Sequence, residues 1–212
     1  MSSTRLKRDN QADFTFNLDL SVLKNQELVT AISGLTTQSA QGVVFRYVHI
    51  KYQNSPLSAI GSLKAGGRYN IAGLFAALYT SDTPITALRE LRVLVETAAG
   101  LIASKAPPYL LLSIEYSLGT IIDLTQSDQQ NLLGTNMQEL TGTWLPLVLK
   151  GQAPPTQTLG EAIYNAQNIE AIKVPSAHDP NAYNLVILPD RLSAQSIVKI
   201  YDPSGTINAQ IP

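Results

Sequence analysis

Seven short runs of β-branched and aromatic residues, spaced along the chain from residue 43 onward, constrain its fold more than any other feature. They are VVFRYV (43–48), LFAALYT (74–80), LLLSIEY (110–116), TIIDL (120–124), AIKVPSA (171–177), NLVILP (184–189) and IVKIYD (197–202). Residues of this kind suit a pleated, half-buried surface. The runs at 110–116 and 120–124 are separated by Leu118-Gly119, which predicts a turn between two strands. Strand candidates outnumber helical ones, and several neighbours lie close enough to pair antiparallel. The expectation is an α+β domain built on a twisted, mostly antiparallel sheet with flanking helices.

Helical signals are fewer. Leu20, Leu23, Leu28, Val29 and Ile32 recur at helical spacing and predict a short helix over 17–33. A Gly, Thr, Ser and Gln stretch follows to about Gly42. Residues 53–70 read as a loop. Ser81, Asp82 and Thr83 offer an N-cap, Pro84 suits the first helical position, and Leu88, Leu91, Val95 and Ala98 continue the pattern to a stop at Gly100. Further helices are expected over about 127–140 and 158–166, with a Pro-rich loop at 150–157 between them. Residues 1–15 are polar and mixed in charge, and are expected to fray.

Composition narrows the chemistry. A chain of 212 residues with 44% hydrophobic content can bury one sizeable core. Its formal net charge of -1 supplies no basic field for nucleic acid or an anionic membrane, so an anionic ligand must be held by a few local arginines. There is no cysteine, hence no disulfide and no thiol nucleophile, which fits a reducing compartment. Two histidines cannot alone form a His-rich metal site, and no metal is expected. No apolar run reaches the roughly 18 residues of a membrane span, and the first residues lack the apolar core of a secretion signal. The expected location is the cytoplasm, with export by other signals left open.

Several side chains invite a chemical reading, each beside a plainer one. On the helix after Pro84, Glu90 falls at the margin of the apolar stripe, whereas Arg89 and Glu96 project away from it. Glu90 can look into a cleft, or be a boundary residue paired with an arginine. Arg68, in Gly66-Gly67-Arg68-Tyr69-Asn70, presents a planar fork suited to phosphate, or is a solvated turn residue. Arg46 lies in an apolar strand whose alternation puts Phe45 and Tyr47 on the opposite face. It needs an acid or a bound anion unless it faces solvent. Tyr79 can stack on a planar base, or be a core residue with a wet tip. Ser176 ends a strand and can cap or bind ligand, but no Gly-x-Ser-x-Gly elbow surrounds it. Asn184 offers amide contacts or a turn. GSLKAGG does not match a P-loop and no GxGxxG occurs, so kinase-like and Rossmann readings gain nothing.

The order of these residues is more specific than any of them alone. The run AGGRYNIAGLFAALYTSDTPITALREL (65–91) closely resembles the central signature of RES-domain proteins, named for an Arg, a Glu and a Ser. The run KVPSAHDPNAYNLVILPD (173–190) is similar to the family's Val-Pro-Ser segment. The resemblance covers about 43–203 and implies a RES domain over 43–212 preceded by an extension over 1–42. It implies a fold similar to ADP-ribosyltransferases and the toxin half of a toxin–antitoxin pair. Members degrade NAD by hydrolysis or phosphorolysis, or transfer ADP-ribose to a protein. Carried onto this chain, Glu90, Arg68 and Tyr79 are expected to be catalytic, and Arg46, Tyr47, Ser176 and Asn184 to bind substrate. NAD is then a substrate, and no cofactor is expected. The implied partner is an antitoxin of helix-turn-helix type, or an immunity protein if the chain is exported. A catalytically inert domain that binds a nucleotide or partner is the reading from another class.

Overall fold

The computed structural model describes residues 26–97, 100–103, 108–166 and 168–212. Residues 26–33 are helical (α1); the rest of the helix expected over 17–33, and the frayed segment expected over 1–15, lie outside the described residues. The chain then runs through β1 (Gln38–His49), α2 (Ile60–Ala65), β2 (Leu78–Ser81), α3 (Pro84–Glu90), β3 (Leu94–Thr97), β4 (Gly100–Ala103) and β5 (Tyr109–Asp123). Four short helices follow: α4 (Ser127–Leu132), α5 (Met137–Thr141), α6 (Leu145–Leu149) and α7 (Pro155–Asn165). The chain closes with β6 (Ala171–Pro175), β7 (Tyr183–Ile187), β8 (Ile197–Ile200) and β9 (Gln210–Ile211).

The main sheet has the order β1-β2-β7-β6-β5-β8-β9, and β1 also pairs with β5. The strands β1, β2, β7, β6 and β5 therefore close on themselves as a small barrel, with β8 and β9 branching outward. All pairings are antiparallel except β5 with β6. The α+β class expected from the sequence holds. One core fills the barrel and includes Val44, Val48, Leu112, Ile114, Leu185 and Ile187. The other lies between sheet and helices and includes Ile122, Ile172, Val186, Leu159 and Ile163. Ile32 from α1 and Leu35 after it belong to this second core, so packing is continuous across residue 43. No helix among the described residues is long and apolar enough to cross a membrane.

Several sequence expectations need correcting, among them the loop expected over 53–70, which contains α2. The helix expected from Pro84 to Gly100 ends at Glu90. Arg92 takes a left-handed conformation (φ 56), its N–H bonds to the Arg89 carbonyl and the Val93 N–H reaches back to Leu88. These are the paired bonds of a Schellman stop, after which β-branched residues extend into β3. Glu96 thus lies on a strand, not the helix. The two strands expected either side of Leu118-Gly119 are one strand, β5. On its second edge β5 pairs with β8 over Ile114–Ser117 and with β6 over Ile121–Asp123. In the gap between them the Glu170 carboxylate accepts the N–H groups of Gly119 (2.5 Å) and Thr120 (3.2 Å), so no turn is needed. The helix expected over 127–140 is two, broken at Gly134 in a left-handed turn (φ 63). The strand expected over 74–80 forms only from Leu78, while β1 begins earlier than 43, at Gln38, because its polar start pairs with β5.

Candidate active site

The site is built where β1 and β2 part. Their ladder is the single pair Phe45↔Ser81. Beyond it the strands diverge, and a cleft of about 240 Å³ opens between Arg46-Tyr47 on one side and Tyr79-Thr80 on the other, floored by Glu90 and Asn184. Alternation keeps Arg46 with the buried Val44 and Val48, and Phe45 and Tyr47 on the other face. The cleft follows the strand edge, so all three line it.

Glu90 is the last helical residue of α3. The helix is entered through Thr83, whose hydroxyl accepts the N–H of Thr86, with Pro84 at the first position, as the sequence predicts. A carboxylate at a helix C-terminus opposes the backbone dipole and needs compensation. It is supplied on one oxygen. Glu90 Oε1 accepts from the Ser176 hydroxyl (2.5 Å), the Asn184 amide (2.8 Å) and the Ala177 N–H (3.2 Å). Among the described residues, the hydrogen bonds to the Glu90 carboxylate all fall on Oε1 and leave Oε2 without one.

The donors are themselves held. The Ser81 hydroxyl donates to Asn184 Oδ1 at 2.7 Å, which turns the Asn184 NH₂ group toward Glu90. Ser176 Oγ accepts the N–H groups of His178 (3.2 Å) and Asp179 (3.0 Å), so its own proton is left for Glu90. The Asp179 side chain accepts from Thr86 (2.8 Å) and forms an ion pair with Arg89. Arg89, expected to project away from the apolar stripe, clamps α3 to the loop that carries Ser176. The helical wheel had no view of this carboxylate 90 residues downstream. Asp179 and Thr86 were not singled out in the sequence, and Ser81 only as a candidate N-cap; their contacts with Arg89, Asp179 and Asn184 mark them.

The Gly-Gly-Arg-Tyr-Asn turn is a knot beneath the cleft. Asn70 is fully buried; its amide donates to the carbonyls of Ser62 (2.9 Å) and Phe75 (3.1 Å) and its Oδ1 accepts the Tyr79 hydroxyl at 2.9 Å. The Tyr79 hydroxyl in turn accepts the Tyr69 N–H at 2.9 Å. It is saturated, not a wet tip, and burial raises its pKa above the ordinary tyrosine value. Only the ring of Tyr79 is left for a ligand. Gly67 is required by close approach, since a Cβ there would lie 2.5 Å from the Tyr79 oxygen. Arg68 is half-buried and donates through Nη1 to the carbonyls of Gly142 (2.5 Å) and Leu140 (3.3 Å), which places it beside the cleft wall and not in it.

Arg46 finds a partner that the sequence did not suggest. Its Nη1 donates to the carbonyls of Pro56 and Ser58 (3.2 Å each) and its Nη2 to Ser58 (3.3 Å). Backbone carbonyls carry no formal charge, so the cation is retained. Burial pushes its pKa down to about 10, still well above neutral pH. The structure thus brings Arg46, Tyr47, Tyr79, Glu90, Ser176 and Asn184 together, with Arg68 one residue behind the wall.

Comparison with known proteins identifies the family and the fold. The RES domain family model matches residues 43–208. Among solved structures the chain is similar to one from the crystal structure of the M. tuberculosis MbcT–MbcA toxin–antitoxin complex. The TM-score is 0.65 at 19% identity, over 89% of this chain and 93% of that one. At that identity the likeness concerns the fold. No curated protein matches the sequence.

Proposed function

The chain belongs to the RES-domain family, and from that footing we propose that it cleaves the nicotinamide–ribose bond of NAD, as a toxin restrained by an antitoxin. The observation that carries the reading is the asymmetry of Glu90. One carboxylate oxygen is saturated by three donors and the other is left for the cleft. Breaking the bond sends nicotinamide away neutral and leaves positive charge on the ribose C1′ and ring oxygen. A fixed carboxylate stabilises such charge without reorganising during the step, as in glycoside hydrolysis. The acceptor then adds at C1′ and gives up its proton. The Arg46 cation and the Tyr47 and Tyr79 rings supply the anion-binding and stacking surfaces that the substrate's phosphate and planar base require.

Partner and location follow from the same premise. An enzyme that empties the NAD pool of its own cell must be restrained, and the structural relative is crystallised in a toxin–antitoxin complex. With a net charge of -1 this chain has no field for DNA, so any DNA contact belongs to the partner. The test is intact NAD against time with purified chain, with and without phosphate. ADP-ribose marks hydrolysis, ADP-ribose 1-phosphate marks phosphorolysis, and label on added protein marks transfer. Expression alone should arrest growth and lower cellular NAD, and co-expression of its antitoxin should restore both. Unchanged NAD in the tube and in the cell would leave the inert binding domain as the better account.

A further inference from the structure

We propose that Asp179 is a positioning residue for the Glu90 carboxylate: it joins α3 and the 176–182 loop into one hydrogen-bonded ring, and through that ring it fixes the direction in which Glu90 faces the cleft. The proposal rests on the NAD reading above and names a residue that serves the same site without touching substrate, since neither Asp179 nor Arg89 lines the cleft. The ring starts from two chain neighbours at the end of α3. Arg89 forms the ion pair with Asp179, and Glu90 Oε1 accepts the Ser176 hydroxyl at 2.5 Å. The Asp179 N–H closes the ring by donating to Ser176 Oγ at 3.0 Å. Two successive helical residues are thus tied to the two ends of one short turn. Asp179 also reaches farther along the helix. The Thr86 hydroxyl has one proton and donates it to Asp179 Oδ2 at 2.8 Å, so the Thr83 hydroxyl, 2.7 Å from Thr86 Oγ1, is the donor of that pair. Thr83, Thr86 and Arg89 are spaced by three and lie along one side of the helix. The N-cap, the middle and the last turn of α3 therefore converge on a single carboxylate.

The geometry makes this ring act on Glu90 more than on the fold at large. α3 has seven residues, of which Thr86 and Ala87 are buried, and it is far shorter than the roughly 12–15 residues at which a helix begins to hold itself. Its place is set largely by polar contacts. The Arg89 and Asp179 side chains are 19% and 14% exposed, so the pair is shielded from solvent and removal of one partner leaves the other's charge uncompensated. The loop is closed on itself by the Ser176 N–H on the Ala182 carbonyl (3.0 Å) and the Ala182 N–H on the Asp179 carbonyl (3.2 Å), so it shifts as a unit. Asn184, the remaining donor to Oε1, stands on β7 and is held by Ser81 independently of the ring. With Asp179 cut, the Ser176 hydroxyl and the Ala177 N–H leave Oε1 together while Asn184 stays. The carboxylate then turns about one bond, and Oε2 loses its fixed direction into the cleft. A misplacement of about 1 Å at a reacting group can cost on the order of 100-fold in rate without touching substrate affinity.

Asp179→Asn keeps the size and an acceptor for Thr86 and removes the ion pair, whereas Asp179→Ala removes the side chain. Both are measured for kcat and KM with NAD, in the full chain and again in the Glu90→Gln chain. A residue that acts through the Glu90 charge loses its effect once that charge is gone, so this double-mutant cycle separates positioning from general damage to the fold. The expected fall in kcat is about tenfold for Asn and about 100-fold for Ala, with KM changed by less than about threefold and the Glu90→Gln chain slowed further by less than about twofold. An unchanged kcat, a loss carried by KM, or equal factors in both backgrounds would overturn the proposal. Amide hydrogen exchange reads the ring without NAD. The Ala177 N–H, which bonds Glu90 Oε1, should exchange at least about tenfold faster in Asp179→Ala while the amides of β5 and β7 keep their wild-type rates. If Asp179→Ala does not fold, Asp179→Asn carries both measurements. Unchanged protection of Ala177 in a folded variant overturns the proposal whatever the chain does to NAD. Faster exchange at Ala177 in a chain that consumes no NAD leaves the ring standing as the holder of Glu90 and sinks the cleavage reading.

Discussion

Glu90→Gln separates charge from shape at the candidate catalytic position. Three donors converge on Oε1: the Ser176 hydroxyl, the Asn184 amide and the Ala177 N–H. Glutamine keeps an acceptor at Oε1 for all three and places its NH₂ where Oε2 was. Each bond to a charged acceptor contributes about 1.5–3 kcal/mol and each neutral one about 1 kcal/mol, so charge assistance worth a few kcal/mol is lost. Against that, a half-buried anion is removed from the C-terminus of α3, which offsets part of the cost. The expected net loss is about 1–2 kcal/mol, or a melting shift of roughly 2–8 °C for a chain of this size. Glu90→Ala is different in kind. It orphans three donors, one of them on the buried Ser176, at about 1–3 kcal/mol each. Catalysis should follow charge and not shape. Losing one preorganised group facing the reacting centre costs about 100–1,000-fold in turnover. The assay is NAD consumption under saturating substrate beside calorimetric melting of both variants. A folded Gln variant that turns NAD over near the wild-type rate would remove charge at Glu90 from the mechanism. A Gln variant that melts as early as Ala would show that the three-donor arrangement is not what holds α3 to the 176–179 loop.

Three further outcomes follow from the same geometry. Gly67→Ala would put a Cβ 2.5 Å from the Tyr79 oxygen and 2.8 Å from Asn70 Oδ1, both pinned by hydrogen bonds, so stability should drop by about 1–3 kcal/mol; an unchanged urea midpoint would mean that the knot can shift. Arg46→Met should cost about 1–3 kcal/mol of stability by leaving the Pro56 and Ser58 carbonyls without their donor, and should weaken NAD binding as well; loss of binding at full stability would show that the 56–58 segment does not depend on this anchor. Burial raises the Glu170 carboxyl, but the Ser196 hydroxyl and the N–H groups of Ser193, Gly119 and Thr120 outweigh it and hold the group below the usual carboxylate range. A depressed carboxyl stabilises the fold fully above its unfolded value, about 4.3, and loses that contribution as pH falls through the folded one, so Glu170→Gln should flatten the acid limb of stability measured by urea midpoints.

What the sequence made legible is what depends on local rules. Strand content followed from β-branched runs, and the start of α3 from Thr83 and Pro84. Glu90 and Ser176 meet because each sits at the end of a regular element, the last residue of α3 and the first after β6. Illegible were the features whose cause lies far along the chain. Gly119 carries every local mark of a turn, yet β5 continues through it, because a carboxylate from residue 170 satisfies the N–H groups that two neighbouring strands leave unpaired. Leu88, Leu91 and Val95 keep helical spacing beyond the point where Arg92 turns left-handed, so a period cannot locate a stop that the backbone makes without a glycine. Arg89 points away from the apolar stripe on a wheel, which says nothing of the Asp179 that clamps it. These misreadings share one physical origin. A carboxylate or guanidinium can compensate for a local preference only where the tertiary fold delivers it, and the fold delivers Asp179 and Glu170 from the segments beside β6. The segment after β6 also carries Ser176, and β7 beyond it carries Asn184, the side-chain donors that fix Glu90. Glu90 is therefore presented by one half of the chain and held by the other, and a perturbation of the 176–182 loop should alter catalysis even where it touches no substrate.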